Sequence, residues 1–141
     1  MKHLPAGKNI TASLENYPQI ARGILEAYPG VRIFTFDGPL GAGKTSLIGA
    51  FGIALGSLSP TTSPTFSIVN EYPTGKNMKL FHFDLYRAES IEELFDIGIE
   101  DYINSGNYCF IEWPAILASY LPDNYLEIKI EYSDSKRIIS Y

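Results

Sequence analysis

The sequence predicts an α/β domain with a mixed, mainly parallel sheet flanked by helices. Three observations lead there. Strand-like apolar runs alternate with helical patterns in the first half of the chain, and pairs of strand-like segments separated by turn residues follow in the second. In addition, one apolar run leads directly into a glycine-rich turn that opens a helix. The 141 residues, 45% apolar and 19% charged, suit a single domain over residues 1–141 with one hydrophobic core.

The elements follow in order. Asn16 is placed to cap a helix whose first turn tolerates Pro18, and Ile20, Ile24 and Tyr28 share one face of it. Pro29-Gly30 ends that helix. Residues 31–36 form a strand, 38–45 a glycine-rich loop, and 44–55 the next helix. Residues 65–72 read as a strand, 73–76 as a turn, and 79–85 as the partner strand of a hairpin. Ser90-Ile91-Glu92-Glu93 has the pattern of a capping box, opening a short helix with Leu94, Phe95 and Ile99 on its apolar side. Residues 108–112 form a buried strand that ends at Trp113-Pro114, and 125–132 and 136–140 complete the sheet.

Composition narrows the function classes. The apolar runs at 33–36 and 47–58 are short or broken by glycine and Ser57, well under the ~20 residues of a membrane-spanning helix. The first ten residues carry no signal-peptide-like apolar stretch. The lone Cys109 excludes an internal disulfide and suits a reducing compartment, so a cytoplasmic location is expected, with no membrane partner and no metal cluster. The net charge of −5 and the lack of a large basic cluster argue against unaided RNA binding.

Gly38-Pro39-Leu40-Gly41-Ala42-Gly43-Lys44-Thr45 carries the chemistry. Its glycines let backbone N–H groups turn inward around phosphates, and the following helix presents its positive end to the same anions. Lys44 is expected on the β- and γ-phosphate oxygens and the Thr45 hydroxyl on magnesium, which makes the chain a P-loop NTPase domain. Asp84 and Glu112 each close an apolar strand, where ligands of such sheets collect, and either suits a metal or an attacking water. As ordinary strand-end carboxylates they would only cap a neighbouring loop. The hydroxyl-rich stretch Thr61-Thr62-Ser63-Pro64-Thr65-Phe66 is either a γ-phosphate-sensing switch or a plain turn, and composition favours the turn. Arg87 is placed to meet phosphate or form a surface ion pair. His82, between two phenylalanines, reads as a core histidine, and Trp113 either packs on the core or lies over the nucleotide.

In order and spacing, Gly41-Ala42-Gly43-Lys44-Thr45, Ser63-Pro64-Thr65-Phe66, His82-Phe83-Asp84-Leu85-Tyr86-Arg87 and Glu112-Trp113-Pro114 resemble the bacterial TsaE family, the ATPase component of tRNA threonylcarbamoyladenosine biosynthesis. The resemblance runs from about Tyr17 to about Ile138. It implies ATP and Mg2+ as cofactors, TsaB and TsaD as partners with tRNA engaged indirectly, a nucleotide-responsive loop at Thr65, and roles for Asp84 and Glu112 in metal binding and hydrolysis. The catalytic candidates are then Lys44, Asp84 and Glu112, and the metal candidates Thr45 and Glu112. The nucleotide-binding candidates are Gly38, Leu40, Gly41, Ala42, Gly43, Lys44, Thr45, Ser46, Thr65 and Arg137. The chain departs from the family pattern at Pro39, where an acidic residue is common, at Ser46, where a second threonine is usual, and at Tyr17, where a threonine near the base is expected. A small-molecule kinase would share the loop but ordinarily needs several arginines in a lid, and this chain has four in all. A non-catalytic nucleotide-sensing adaptor is the other alternative. No Asn/Thr-Lys-x-Asp tetrapeptide for guanine is present, so ATP is expected over GTP.

Overall fold

A computed structural model describes residues 8–57, 59–62, 64, 67–75 and 77–141. Its centre is a sheet of strands β1 (Asn9–Ala12), β2 (Ile33–Asp37), β3 (Val69–Pro73), β4 (Lys79–Asp84), β5 (Tyr108–Glu112), β6 (Tyr125–Ser133) and β7 (Lys136–Ser140). They lie in the order β1-β7-β6-β2-β5-β4-β3. The central pairings β6–β2, β2–β5 and β5–β4 are parallel, and the outer ones, β1–β7, β7–β6 and β4–β3, are antiparallel. The expectation of a mainly parallel sheet is therefore corrected to an even division, because short turns close each flank with antiparallel pairs. Strand β1 went unpredicted: it is four residues long and pairs with residues about as far away as the chain allows, Asn9 opposite Ser140.

Helices α1 (Tyr17–Ala27), α2 (Lys44–Ala54), α3 (Ile91–Asp96) and α4 (Ile99–Ile103) cover the sheet, with short 3-10 segments at Leu14–Asn16 and Pro114–Tyr120. Alternation along the strands sorts the core into two layers. Phe34 and Phe36 of β2 and Phe110 of β5 meet Phe51 of α2, all fully buried, with centroids 5.3 to 5.8 Å apart for the pairs that include Phe51 or Phe110. Truncating any of these rings to alanine costs about 3–5 kcal/mol. On the opposite face Ile33, Phe81, Phe83, Cys109 and Ile111 pack beneath Leu94, Ile99 and Leu117.

Several local expectations change. The first central strand runs Ile33–Asp37 rather than 31–36, and the strand expected at 65–72 begins at Val69. Ser63, Thr65, Phe66 and Lys76 lie outside the described residues. Asn16 has helical backbone (φ −88°, ψ −10°) because the 3-10 segment runs straight into α1. A capping side chain needs extended backbone to aim at the first turn. Asn16 Oδ1 instead accepts from Ser13 N at 3.3 Å and Ser13 Oγ at 3.0 Å. Ser90 does cap α3, accepting from Glu93 N at 3.3 Å, but the Glu93 carboxylate accepts from Glu89 N rather than closing the box on Ser90. The single helix expected there is two, separated at Ile97-Gly98. Leu94 and Ile99 remain buried, while Phe95 turns partly outward against Tyr120.

Candidate functional site

Strand β2 ends at Asp37, whose Oδ1 accepts from Gly38 N at 3.0 Å and fixes the start of the glycine-rich loop. A side chain at Gly38 would overlap the Ile130 carbonyl on β6. Gly43, with φ +105°, precedes α2, and a Cβ there would lie 2.6 Å from Tyr17 Oη and 3.1 Å from Arg137 Nε. Glycine is thus demanded twice at Gly43, by backbone angle and by space. The N-terminal end of α2, which begins with Lys44, Thr45 and Ser46, concentrates positive potential at this spot.

Lys44 is 5% exposed. Its Nζ donates to the Gly38 and Pro39 carbonyls and sits 3.8 Å from the centroid of the Trp113 ring. Burial lowers its pKa, opposed by the nearby Glu112, Asp37 and Asp84 carboxylates. Trp113 occupies left-handed backbone (φ 56°) immediately before Pro114 and packs on Tyr86 at 4.8 Å. Trp113 therefore does both: it packs against the core layer that contains Phe83 and Ile111, and it lines the cleft.

The two carboxylates are register partners, Asp84 opposite Glu112 on parallel strands. Glu112 is 3% exposed and receives the Thr45 hydroxyl at 3.1 Å on Oε2 and 3.3 Å on Oε1. On its other side His82 Nε2 lies 2.6 Å from Oε2. Asp84 is half-buried, and its Oδ1 accepts from Tyr86 N at 3.1 Å. Arg137 reaches across from β7: its Nε donates to Ala42 O at 2.9 Å, and its guanidinium lies over Tyr132. That nitrogen braces the loop from outside.

These groups surround a cleft of about 360 Å³. Its lining includes Leu40, Gly41, Ala42, Gly43, Lys44, Thr45, Ser46, Asp84, Glu112 and Arg137 among the expected residues, and Leu14, Tyr86 and Trp113 besides. The structure thus brings the expected set together except Gly38, whose carbonyl engages Lys44 from outside the lining, and Thr65, which lies outside the described residues. Tyr17 does not line this cleft. It borders an adjoining apolar cavity of about 390 Å³ that shares Leu14 and Ser46 with it. Burial raises the Tyr17 pKa, partly offset by Arg137, and its hydroxyl has no hydrogen-bond partner among the described residues. Arg87 meets the Pro64 carbonyl at 3.3 Å. The neighbouring Thr62 is tied through its backbone to Tyr72 and Asn70, as a structured turn would be.

Among the described residues no three His, Cys, Asp or Glu side chains form a metal cage. A hydroxyl beside one buried carboxylate, with a second carboxylate close by, is a hard-oxygen set. It fits an ion such as magnesium, which takes one or two protein ligands and completes its shell with water and phosphate. His82 is buried as a core histidine, as its place between two phenylalanines suggests, but its contact with Glu112 was not foreseen. The register of β4 on β5 supplies the missing link, and a sequence does not state its strand register.

Three comparisons bear on this arrangement. The sequence profile of the family described as "Threonylcarbamoyl adenosine biosynthesis protein TsaE" matches residues 11–139. The "tRNA threonylcarbamoyladenosine biosynthesis protein TsaE" of Bacillus subtilis is 37% identical over 116 residues, covering 82% of this chain and 71% of that protein. The protein of the same name from Haemophilus influenzae is 40% identical over 103 residues, 73% of this chain and 65% of its own length. Among solved structures, Bacillus subtilis YdiB superposes with a TM-score of 0.70 at 29% identity, covering 94% of this chain and 84% of that one. No helix of the described residues is long and apolar enough to cross a membrane.

Proposed function

The chain belongs to the TsaE family of threonylcarbamoyl adenosine biosynthesis proteins, and on that premise we propose that it is the family's ATP-hydrolysing subunit, acting with TsaB and TsaD in tRNA modification. One observation carries the reading: the Thr45 hydroxyl, on the first turn of α2, donates to the buried Glu112 carboxylate inside a cleft walled by the glycine-rich loop. A phosphate-binding loop and a metal-binding carboxylate meet there at hydrogen-bond distance.

In this reading the loop amides and Lys44 bind the nucleotide phosphates, while Thr45 and Glu112 hold magnesium. The bound ion supplies charge neutralisation for phosphates and a fixed orientation for the leaving group. Asp84, half-buried beside Glu112, is placed to orient the attacking water. Lys44 now rests on the Gly38 and Pro39 carbonyls, so a phosphate must draw its ammonium away from them. Arg137 Nε, held by Ala42, keeps the loop in shape during that exchange. Hydrolysis by the isolated chain is slow and rises when the partners complete the assembly. Location in the cytoplasm, with the tRNA, follows from the same reading.

The test is co-purification with TsaB and TsaD and measurement of magnesium-dependent ATP hydrolysis with and without them. Formation of a complex with stimulated hydrolysis is expected. Turnover of a small phosphoryl acceptor in place of water would instead make the chain a kinase. Tight ATP binding with no hydrolysis in the complex would make it a nucleotide-sensing adaptor.

A further inference from the structure

We propose that His82 is a positioning residue for Glu112, pinning its carboxylate in the orientation that accepts the metal ion of the bound nucleotide. The inference rests on the magnesium-nucleotide reading above and extends it to a residue buried behind the cleft.

His82 is fully buried in the middle of β4, a setting where an aliphatic side chain would pack at lower desolvation cost. Its polar atoms are used unevenly. Nε2 lies 2.6 Å from Glu112 Oε2, whereas Nδ1 has no hydrogen-bond partner among the described residues. The ring's hydrogen bonding is thus directed at one carboxylate oxygen. The backbone explains how. His82 pairs with Phe110 and Asp84 with Glu112, so all four side chains share the face of the sheet beneath α2. Glu112 leans back along β5 to reach the histidine two positions behind its own register partner.

The carboxylate then stands between two donors. A carboxylate only accepts hydrogen bonds, so the His82 Nε2–H and the Thr45 hydroxyl both point at it, from behind and from the cleft side respectively. Without the histidine, the carboxylate would be free to rotate or to swing toward the Lys44 ammonium, and the oxygen geometry facing the metal would no longer be fixed. Partners that hold metal-ligating groups from behind typically contribute 10–100-fold to metal affinity.

The experiment measures Mn2+ binding by electron paramagnetic resonance in the presence of a non-hydrolysable ATP analogue, for wild type, His82→Leu, His82→Gln, His82→Asn and Glu112→Gln. Nucleotide affinity is measured in parallel in EDTA. A glutamine amide nitrogen reaches about as far as Nε2, whereas the asparagine nitrogen reaches only as far as Nδ1. His82→Leu and His82→Asn are expected to weaken Mn2+ binding about tenfold or more while metal-free nucleotide affinity stays within about twofold, and His82→Gln is expected to recover most of the loss. If the leucine variant does not fold, the glutamine–asparagine comparison decides alone. Equal Mn2+ affinity for glutamine and asparagine, or equal loss of metal-free nucleotide binding, overturns the positioning role. Should Glu112→Gln bind Mn2+ as wild type does, the metal assignment itself fails, and the role of His82 fails with it.

Discussion

Asp84 and Glu112 face each other across adjacent parallel strands, yet only Glu112 is enclosed, held between the Thr45 hydroxyl and the His82 ring. Replacing Glu112 by glutamine puts an amide NH2 among groups that are themselves donors. Glu112→Gln should therefore lose about 1–3 kcal/mol of stability as well as partner-stimulated hydrolysis. Asp84→Asn, half-buried and accepting from Tyr86 N, should keep wild-type stability while also slowing hydrolysis. Thermal denaturation beside ATPase assays separates the two, and normal hydrolysis in both would reduce them to structural caps.

Lys44→Ala should weaken ATP binding by about 10–100-fold, the range for losing a charge-assisted hydrogen bond to phosphate. The fold should survive, because the lysine contributes to the core mainly by covering Trp113 and two loop carbonyls. Equilibrium binding and circular dichroism test the two halves, and unchanged affinity in a folded variant would refute the loop assignment.

The close approach of Tyr17 to Gly43 makes a coupled prediction. Gly43→Ala should destabilise the protein by about 2 kcal/mol through left-handed backbone and overlap with Tyr17 Oη. Tyr17→Phe removes a buried hydroxyl that has no partner among the described residues, so alone it should be neutral or mildly stabilising. Combined, the two changes should interact favourably by about 1 kcal/mol, recovering the steric part of the loss and leaving the backbone part. A double-mutant cycle from chemical denaturation reads this directly, and strict additivity would show that the tyrosine is not what crowds the site.

Burial pushes the Cys109 thiol up to about 12 from its usual 9.0. Native protein at pH 8 should leave a disulfide reagent such as DTNB unreacted, and unfolding in guanidinium should release one thiol per chain. The sign for stability follows: above pH 9 the unfolded chain gives up this proton while the folded chain keeps it, so the thiol's contribution falls as pH rises toward 12. Rapid modification of the native protein would contradict the buried placement on the sheet face beneath α3 and α4.

Where local chemistry decides structure, the sequence was a good guide. Strand β5 begins and ends where Tyr108 and Glu112 were expected, because an apolar run closed by a charge and Trp113-Pro114 has few other solutions. Lys44 opening α2 after Gly43 was legible for the same reason. What escaped were relations between distant segments. Strand β1 exists by pairing with β7, and His82 meets Glu112 through strand register. Asn16 failed as a cap because the 3-10 segment before it, itself unpredicted, had already turned its backbone helical.

The sheet order also sets a sequence in time. Strand β2, which leads into the glycine-rich loop, has three strands on either side, whereas Arg137 rides on β7, one position in from the short edge strand β1. Local opening starts at edges and reaches the centre only near global unfolding. Amide hydrogens of the edge strands β1 and β3 should exchange with solvent first and those of β2 last. When the β1 edge frays, the first part of the site to let go is therefore the Arg137 brace on Ala42, while Lys44, Thr45 and Glu112 remain assembled on slowly exchanging backbone.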